Sequence, residues 1–542
     1  MQFSALVEPF VRRAHDHLAA GDASGARAEL VAAAEAARRA NDALGELGAR
    51  LAELQVLGDA DGAELTLEPL ERLAETARSR GLDELYALVV LERADRLRSV
   101  RRLGDAVHHA QVLVAWGQRS DRPALVGAAA LSLGLSLRAA GRIEDANGAF
   151  NDGLWAVGAL ASPPAEPRDP LFPSLPPPRQ TQVALLIRHA EMSLELGLLV
   201  RARESLDALA AAPLAVELRA MVAAMSVNLA RLEGRRPALG HLRAVAAELL
   251  EQPASAPRAS LLCQLAIADG DAAFALPVLD AVAARARAIS GAEPVEIALA
   301  RATLFFLAGR LDEATAALAA APADGAGAVE RLMLTASLAL ARGIPRLAIE
   351  PVMMAAALAE SREQAVHTAA AWHLAVEVYR RVGLVERARA AREQAAALYR
   401  HTGLKRGLAE LEIERAWEAL IEGRDDEAAD VLAPLAGVSE PKVAAQAALA
   451  MAALAQRRGR PGDALPVVLA AHDRLIERGA DLLAVPLARA ARTLTEAGGG
   501  PTLPASLTAT LAWAAERQLP EVDVLHIATP YTRDEESTAG AS

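Results

Sequence analysis

The chain of 542 residues contains a single cysteine, Cys263, which excludes a disulfide framework and a thiolate metal cluster. Cys263 itself reads as a small buried apolar residue. Aromatic residues make up only 3% of the chain and runs of β-branched residues are missing, so sheets have little to build on. Lysine is confined to Lys405 and Lys442, and arginine carries the positive charge, a pattern that fits codon usage in a GC-rich bacterial genome. The formal net charge of −12 argues against wholesale binding to nucleic acid or to an anionic membrane surface, since either needs a cationic footprint to release counterions. There is no run of about 18 uncharged apolar residues to span a bilayer. The first residues lack the basic start and apolar stretch of a secretion signal. A cytoplasmic protein without membrane insertion is the expectation.

Recognisable chemistry is also missing. No Gly-x4-Gly-Lys-Ser/Thr loop occurs, and Gly325-Ala326-Gly327 lacks the third glycine of a dinucleotide fingerprint. Neither a His-Glu-x-x-His helix nor a Gly-x-Ser-x-Gly elbow is present. His108 and His109 point to different faces of a helix and cannot chelate one metal together, and His15 and His17 fail in the same way. The acidic run Asp425-Asp426-Glu427 follows Gly423, where negative charge complements a helix start. No enzyme activity, cofactor or metal is expected.

What the chain does contain is a repeat. Gly followed five residues later by Ala recurs at Gly21/Ala26, Gly58/Ala63, Gly141/Ala146, Gly197/Ala202, Gly309/Ala314, Gly343/Ala348, Gly383/Ala388, Gly423/Ala428 and Gly459/Ala464. From Gly197 the turn glycines fall at 197, 234, 270, 309, 343, 383, 423 and 459, intervals matching one helix-turn-helix unit. Gly supplies the left-handed backbone that ends the first helix, and the small Ala sits where the two helices approach. Nine positions after the glycine stands a large apolar residue in most copies, including Leu30, Leu67, Phe150, Leu206, Leu318, Val352, Leu432 and Val468. Two glycines break the pattern, Gly104 being followed by His109 and Gly234 by Leu239. The long interval from Gly58 to Gly104 predicts a lengthened helix around Leu65–Arg80.

These positions resemble the tetratricopeptide repeat family, most clearly in Leu133-Gly134 with Gly141, Ala146 and Phe150, and in Trp372 and Tyr379 with Gly383 and Ala388. The resemblance implies an all-α fold, a right-handed α-solenoid of about twelve or thirteen tetratricopeptide-like hairpins. The expected organisation is a block of four hairpins over 1–160, a Pro-rich loop or linker over 161–179, a second array over 180–480, a capping hairpin over 481–517 and a disordered tail over 518–542.

In such arrays the first helix of each hairpin lines the inner face. That places His373, Glu377, Arg380 and Arg381 in one unit, and Glu410, Ile413 and Trp417 in the next, as candidate partner-binding residues of a mixed groove with an aromatic platform. For Ile413, Trp417 and Leu420, spaced i, i+4, i+7, plain core is the competing assignment. The function expected is a non-catalytic scaffold or adaptor that binds a peptide or helix of a protein partner along the concave face. The alternative is the sensor or oligomerisation arm of a bacterial signalling or transcription-regulatory system.

Overall fold

The computed structural model describes residues 6–60, 62–158, 175–233, 235, 237–253, 255–290, 294–321, 327–435, 441–477, 481–497, 503–521 and 525. Among the described residues every regular element is helical: twenty-six α-helices and four short 3-10 segments. Most consecutive helices are joined by short turns, so the all-α helical-repeat architecture follows from the sequence as expected. Much of the Pro-rich stretch, residues 161–174, lies outside the described residues, as do Gly234 and most of the 518–542 tail.

The chain divides into two compact units, Met1–Met192 and Ser193–Ser542. The first contains α1 (Glu8–Ala19), α2 (Ala23–Arg39), α3 (Ala43–Ala60), α4 (Leu67–Ser79), α5 (Asp83–Ser99), α6 (Leu103–Arg119), α7 (Pro123–Ala139), α8 (Ile143–Gly158) and most of α9 (Pro178–Glu195). The boundary between the units falls inside α9. The reason is packing: Leu185 of α9 lies against Gly153 of α8, and Thr181 against Gly127 of α7.

The second unit contains α10 (Leu199–Ala210), α11 (Val216–Leu232), α12 (Leu239–Glu251), α13 (Ala256–Asp269), α14 (Ala272–Ser290), α15 (Val295–Leu307), α16 (Leu311–Ala319), α17 (Ala328–Ala341) and α18 (Ile349–Ser361). It continues through α19 (Ala365–Val382), α20 (Val385–Thr402), α21 (Lys405–Ile421), α22 (Asp425–Leu432), α23 (Pro441–Arg457), α24 (Leu465–Ile476), α25 (Asp481–Ala497) and α26 (Ala505–Glu516).

One turn recurs. At Gly141 (φ +75°) the amide donates to the Arg138 carbonyl at 2.9 Å and the next amide, Arg142, to the Leu137 carbonyl at 2.9 Å. These bonds close the orphan carbonyls of the first helix. The Arg after the turn then pairs with an acid three residues on: Arg142 Nε to Asp145 at 2.7 Å, and likewise Arg310 with Glu313 and Arg424 with Glu427. The following Ala is enclosed, Ala146, Ala314 and Ala428 all being 0% exposed.

Two glycines do not do what their spacing predicts. Gly58 lies inside α3, where a Cβ would come within 2.7 Å of the Arg96 guanidinium. Gly104 sits in the first turn of α6. The turn between α5 and α6 is made instead by Arg101, left-handed at φ +64°, whose amide and the next repeat the pattern above, and whose Ala five residues on is the buried Ala106. The lengthened helix expected at Leu65–Arg80 is likewise absent. A 3-10 segment, Ala63–Thr66, leads into a thirteen-residue α4.

Between consecutive helices the core is made of small residues meeting large ones. A Cβ on Gly134 would lie 2.2 Å from the Phe150 ring, and one on Gly407 2.6 Å from the Tyr399 ring. Both aromatics therefore occupy space that only glycine leaves open.

Candidate functional site

Arg406, Glu410, Glu414, Glu418 and Glu422 recur every four residues, so they form one stripe along α21 and just past its end. The side chains of Glu410, Glu414 and Glu418 keep only 7, 8 and 10% exposure. An unpaired carboxylate so enclosed would cost several kcal/mol, on the order of a full desolvation penalty. Each is met by cations from neighbouring helices.

Glu410 accepts from Lys442 Nζ of α23 and from Arg406 Nε, both at 3.0 Å, and lies 3.9 Å from His373 Nδ1 of α19. Glu414 accepts from Arg380 Nε of α19 at 2.7 Å, and the same guanidinium stands 4.8 Å above the Trp417 ring. Glu418 accepts from Arg389 Nε of α20 at 2.6 Å and lies 3.2 Å from Arg392 Nη2. Arg389 reaches on to Glu422 through Nη2 at 2.6 Å, and Arg424 closes the row on Glu422.

The electrostatics follow from burial set against these partners. Burial works against the charged form of Glu410, yet Lys442, His373 and Arg406 outweigh it and hold the carboxyl below its usual range. Glu377 behaves the same way under Arg381, Arg380 and Lys442. Arg381 Nη2 donates to Glu377 at 2.6 Å one turn away. For His373 burial prevails over the surrounding glutamates, and its pKa is lowered, favouring the neutral ring. Its Nδ1 lies 3.2 Å from the Tyr399 hydroxyl, which burial holds far above the usual phenol range.

The structure therefore brings His373, Glu377, Arg380, Arg381 and Glu410 into one charged seam on α19 and α21, with Lys442 of α23 completing it. Ile413 and Trp417 are not part of an accessible platform. They are 1% and 5% exposed and belong to a core shared with α22, α23 and α24. The physical reason is that α21 is covered on two sides, its acidic stripe by cations and its apolar stripe by its neighbours. Arg380 and Glu410 are interior ion-pair members, while Glu377, Arg381, Arg406 and Lys442 keep 28, 35, 38 and 44% of their side-chain surface.

Sequence reasoning missed Glu414, Glu418, Arg389, Arg392 and Lys442. Glutamate every four residues on a helix that also carries Ile413, Trp417 and Leu420 was the available signal. Such a helix is acid-striped and apolar-striped at once, and leaves only a narrow strip around Glu412 and Arg415 to solvent. Among the described residues no His, Cys, Asp and Glu side chains are grouped so as to hold a metal ion. Two cavities, of about 380 and 410 Å³, belong to the first unit; they are lined by residues such as Ala87, Leu125 and Leu175, and by Asn151, Leu154 and Trp155.

No protein-family model matches this chain, and no curated protein matches it. Among solved structures it is similar to that of the APC/C hetero-tetramer Cut9-Hcn1, at 12% identity over 96% of each chain with a TM-score of 0.37. It is also similar to a Rap protein complexed with competence and sporulation factor, at 14% identity over 62% of this chain and 97% of the other, TM-score 0.38. No helix among the described residues is long and apolar enough to cross a membrane.

Proposed function

We propose that the chain is a tetratricopeptide-like, non-catalytic scaffold that binds a protein partner through the accessible rim of the α19–α21–α23 seam. The observation that supports this reading is the division of labour within the seam. Its carboxylates Glu410, Glu414 and Glu418 are enclosed, whereas the neighbouring Glu377 and Arg381, together with Arg406 and Lys442, the cations that pair with Glu410, keep 28, 35, 38 and 44% of their side-chain surface. A rim of both signs held on rigid helices suits charge-complementary recognition of a peptide or helix. Cytoplasmic action is part of the same proposal.

A catalytic reading would draw on His373, which has Glu410 and the Tyr399 hydroxyl within reach. Glu410 is already engaged by Lys442 and Arg406, so it is not free to serve as a general base.

The test is capture from cell lysate with the wild type, a Glu377→Lys/Arg381→Glu/Lys442→Glu variant and an Arg12→Glu control in exposed α1, each checked for helicity by circular dichroism. A partner retained by the wild type and the control but lost by the folded triple variant supports the rim. Equal retention by all three sinks it.

A further inference from the structure

Within the second unit, one contact departs from the logic of a stack. A repeat array joins each unit to the next, and the arginines follow that rule. Arg457 at the end of α23 donates through Nη1 to the Leu420 carbonyl near the end of α21 at 2.6 Å, a span of 37 residues. Arg342 similarly reaches the Leu311 carbonyl at 3.2 Å across 31 residues. Arg517, just past α26, makes the same kind of bond, Nε to the Ala308 carbonyl at 3.0 Å, but across 209 residues.

The surroundings of that bond are built for it. Arg517 stacks 4.2 Å over the Trp513 ring, and the indole lies on Gly309, where a Cβ would approach to 2.9 Å. At the corresponding turn glycines Gly21, Gly197 and Gly459 a Cβ would meet nothing within 4 Å. Beneath the indole, Val485, Ala514 and Leu519 share one apolar cluster with Leu311, Leu318 and Leu338, all between 3 and 9% exposed.

We propose that α26 is a latch. Docking of Trp513 and Arg517 on the α15–α16 turn closes one turn of the helical array onto itself. The closure covers the apolar face of Leu311, Leu318 and Leu338 and couples α15–α17 to α25–α26. The second unit is then a closed, cooperative body instead of a chain of independent neighbours.

Hydrogen exchange with mass spectrometry on the full chain tests this, because local opening is read segment by segment. In Trp513→Ala/Arg517→Gln, amides of Val295–Ala341 should exchange roughly tenfold faster or more than in wild type, while those of α21 and α22 keep their rates. A Ser506→Ala control on the same helix should leave Val295–Ala341 unchanged. Faster exchange confined to α24–α26 would overturn the latch. Should the double variant lose its helicity, Arg517→Gln alone, which deletes the bond to Ala308 and the stacking on Trp513 but leaves the indole on Gly309 in place, gives the decision: a rise of about threefold in Val295–Ala341 supports the latch and no change overturns it.

Discussion

Arg380 donates to Glu414 at 2.7 Å while standing 4.8 Å over the Trp417 ring, and both charged side chains are nearly enclosed, at 15 and 8% exposure. The pair is thus the innermost rung of a ladder in which α21 supplies acids and its neighbours supply arginines. Buried pairs of this kind contribute little over an apolar substitute, but breaking one leaves a stranded charge.

Arg380→Met should therefore destabilise the second unit by about 3–5 kcal/mol. The double variant Arg380→Met/Glu414→Gln should recover most of that loss. Urea unfolding of both, followed by circular dichroism, measures the difference. Equal losses in the two would mean that the cost lies in packing on Trp417 and not in the orphaned carboxylate.

At the Gly134–Phe150 contact, helix propensity and packing oppose each other. Ala is better than Gly in a helix by up to about 1 kcal/mol, yet a Cβ here would stand 2.2 Å from the ring. Overpacking of that kind costs roughly 1–3 kcal/mol. Gly134→Ala should lower the melting temperature, and adding Phe150→Leu should restore part of it. A Gly134→Ala chain that melts higher than wild type would show that the ring moves freely.

Much of this fold could be read in the sequence because its punctuation is local. Gly141, Gly309, Gly383 and Gly423 end helices where a left-handed residue is needed, and the enclosed Ala follows at fixed distance. Glycine is not the only residue that makes this turn, since Asn41, Arg101, Asp121 and Glu363 take the same backbone at φ between 51° and 64°. At Arg101, with no glycine to mark the turn, the spacing was assigned to Gly104 instead. The seam was only half legible. His373, Glu377, Arg380, Arg381 and Glu410 could be placed together from helical periodicity, but the partners of Glu410 and Glu418 come from α20 and α23, and pairing across helices leaves no periodic trace. The contact of Arg517 with Ala308 lies further still from any local signal.

Two histidines of α19 should pull the pH dependence of stability in opposite directions. His367 is raised above 6.5, first by its bond to Glu330 and then by the charges of Glu330 and Glu195, against burial. Its stabilisation is fully present below the unfolded value and is lost as pH rises through the folded one. His373 is lowered from 6.5 by burial. The unfolded chain then binds that proton first, and stability falls as pH drops below the unfolded value. Melting curves at pH 8 and 5.5 should show His367→Gln losing ground to wild type on acidification and His373→Gln gaining it. Parallel behaviour of the two variants would contradict the opposed environments.

Gly309 and Gly459 have nearly the same backbone, φ +71° and +67°, and differ in what lies above them. Asn tolerates left-handed backbone better than other residues with a Cβ, so replacing either glycine by Asn tests the space around the turn more than the turn itself. At Gly459 that space is open, and Gly459→Asn should stay within about 0.5 kcal/mol of wild type. At Gly309 the Asn side chain must displace Trp513, and Gly309→Asn should cost roughly 1–3 kcal/mol. Most of the loss should vanish in a Trp513→Ala background, because the indole that the new side chain strikes is gone and the flexible Arg517 side chain, whose Cδ stands 3.1 Å from the Cβ position, can move aside. Equal costs at the two turns, or a cost at 309 that persists without Trp513, would place the penalty in the backbone and remove the steric argument for closure through α26.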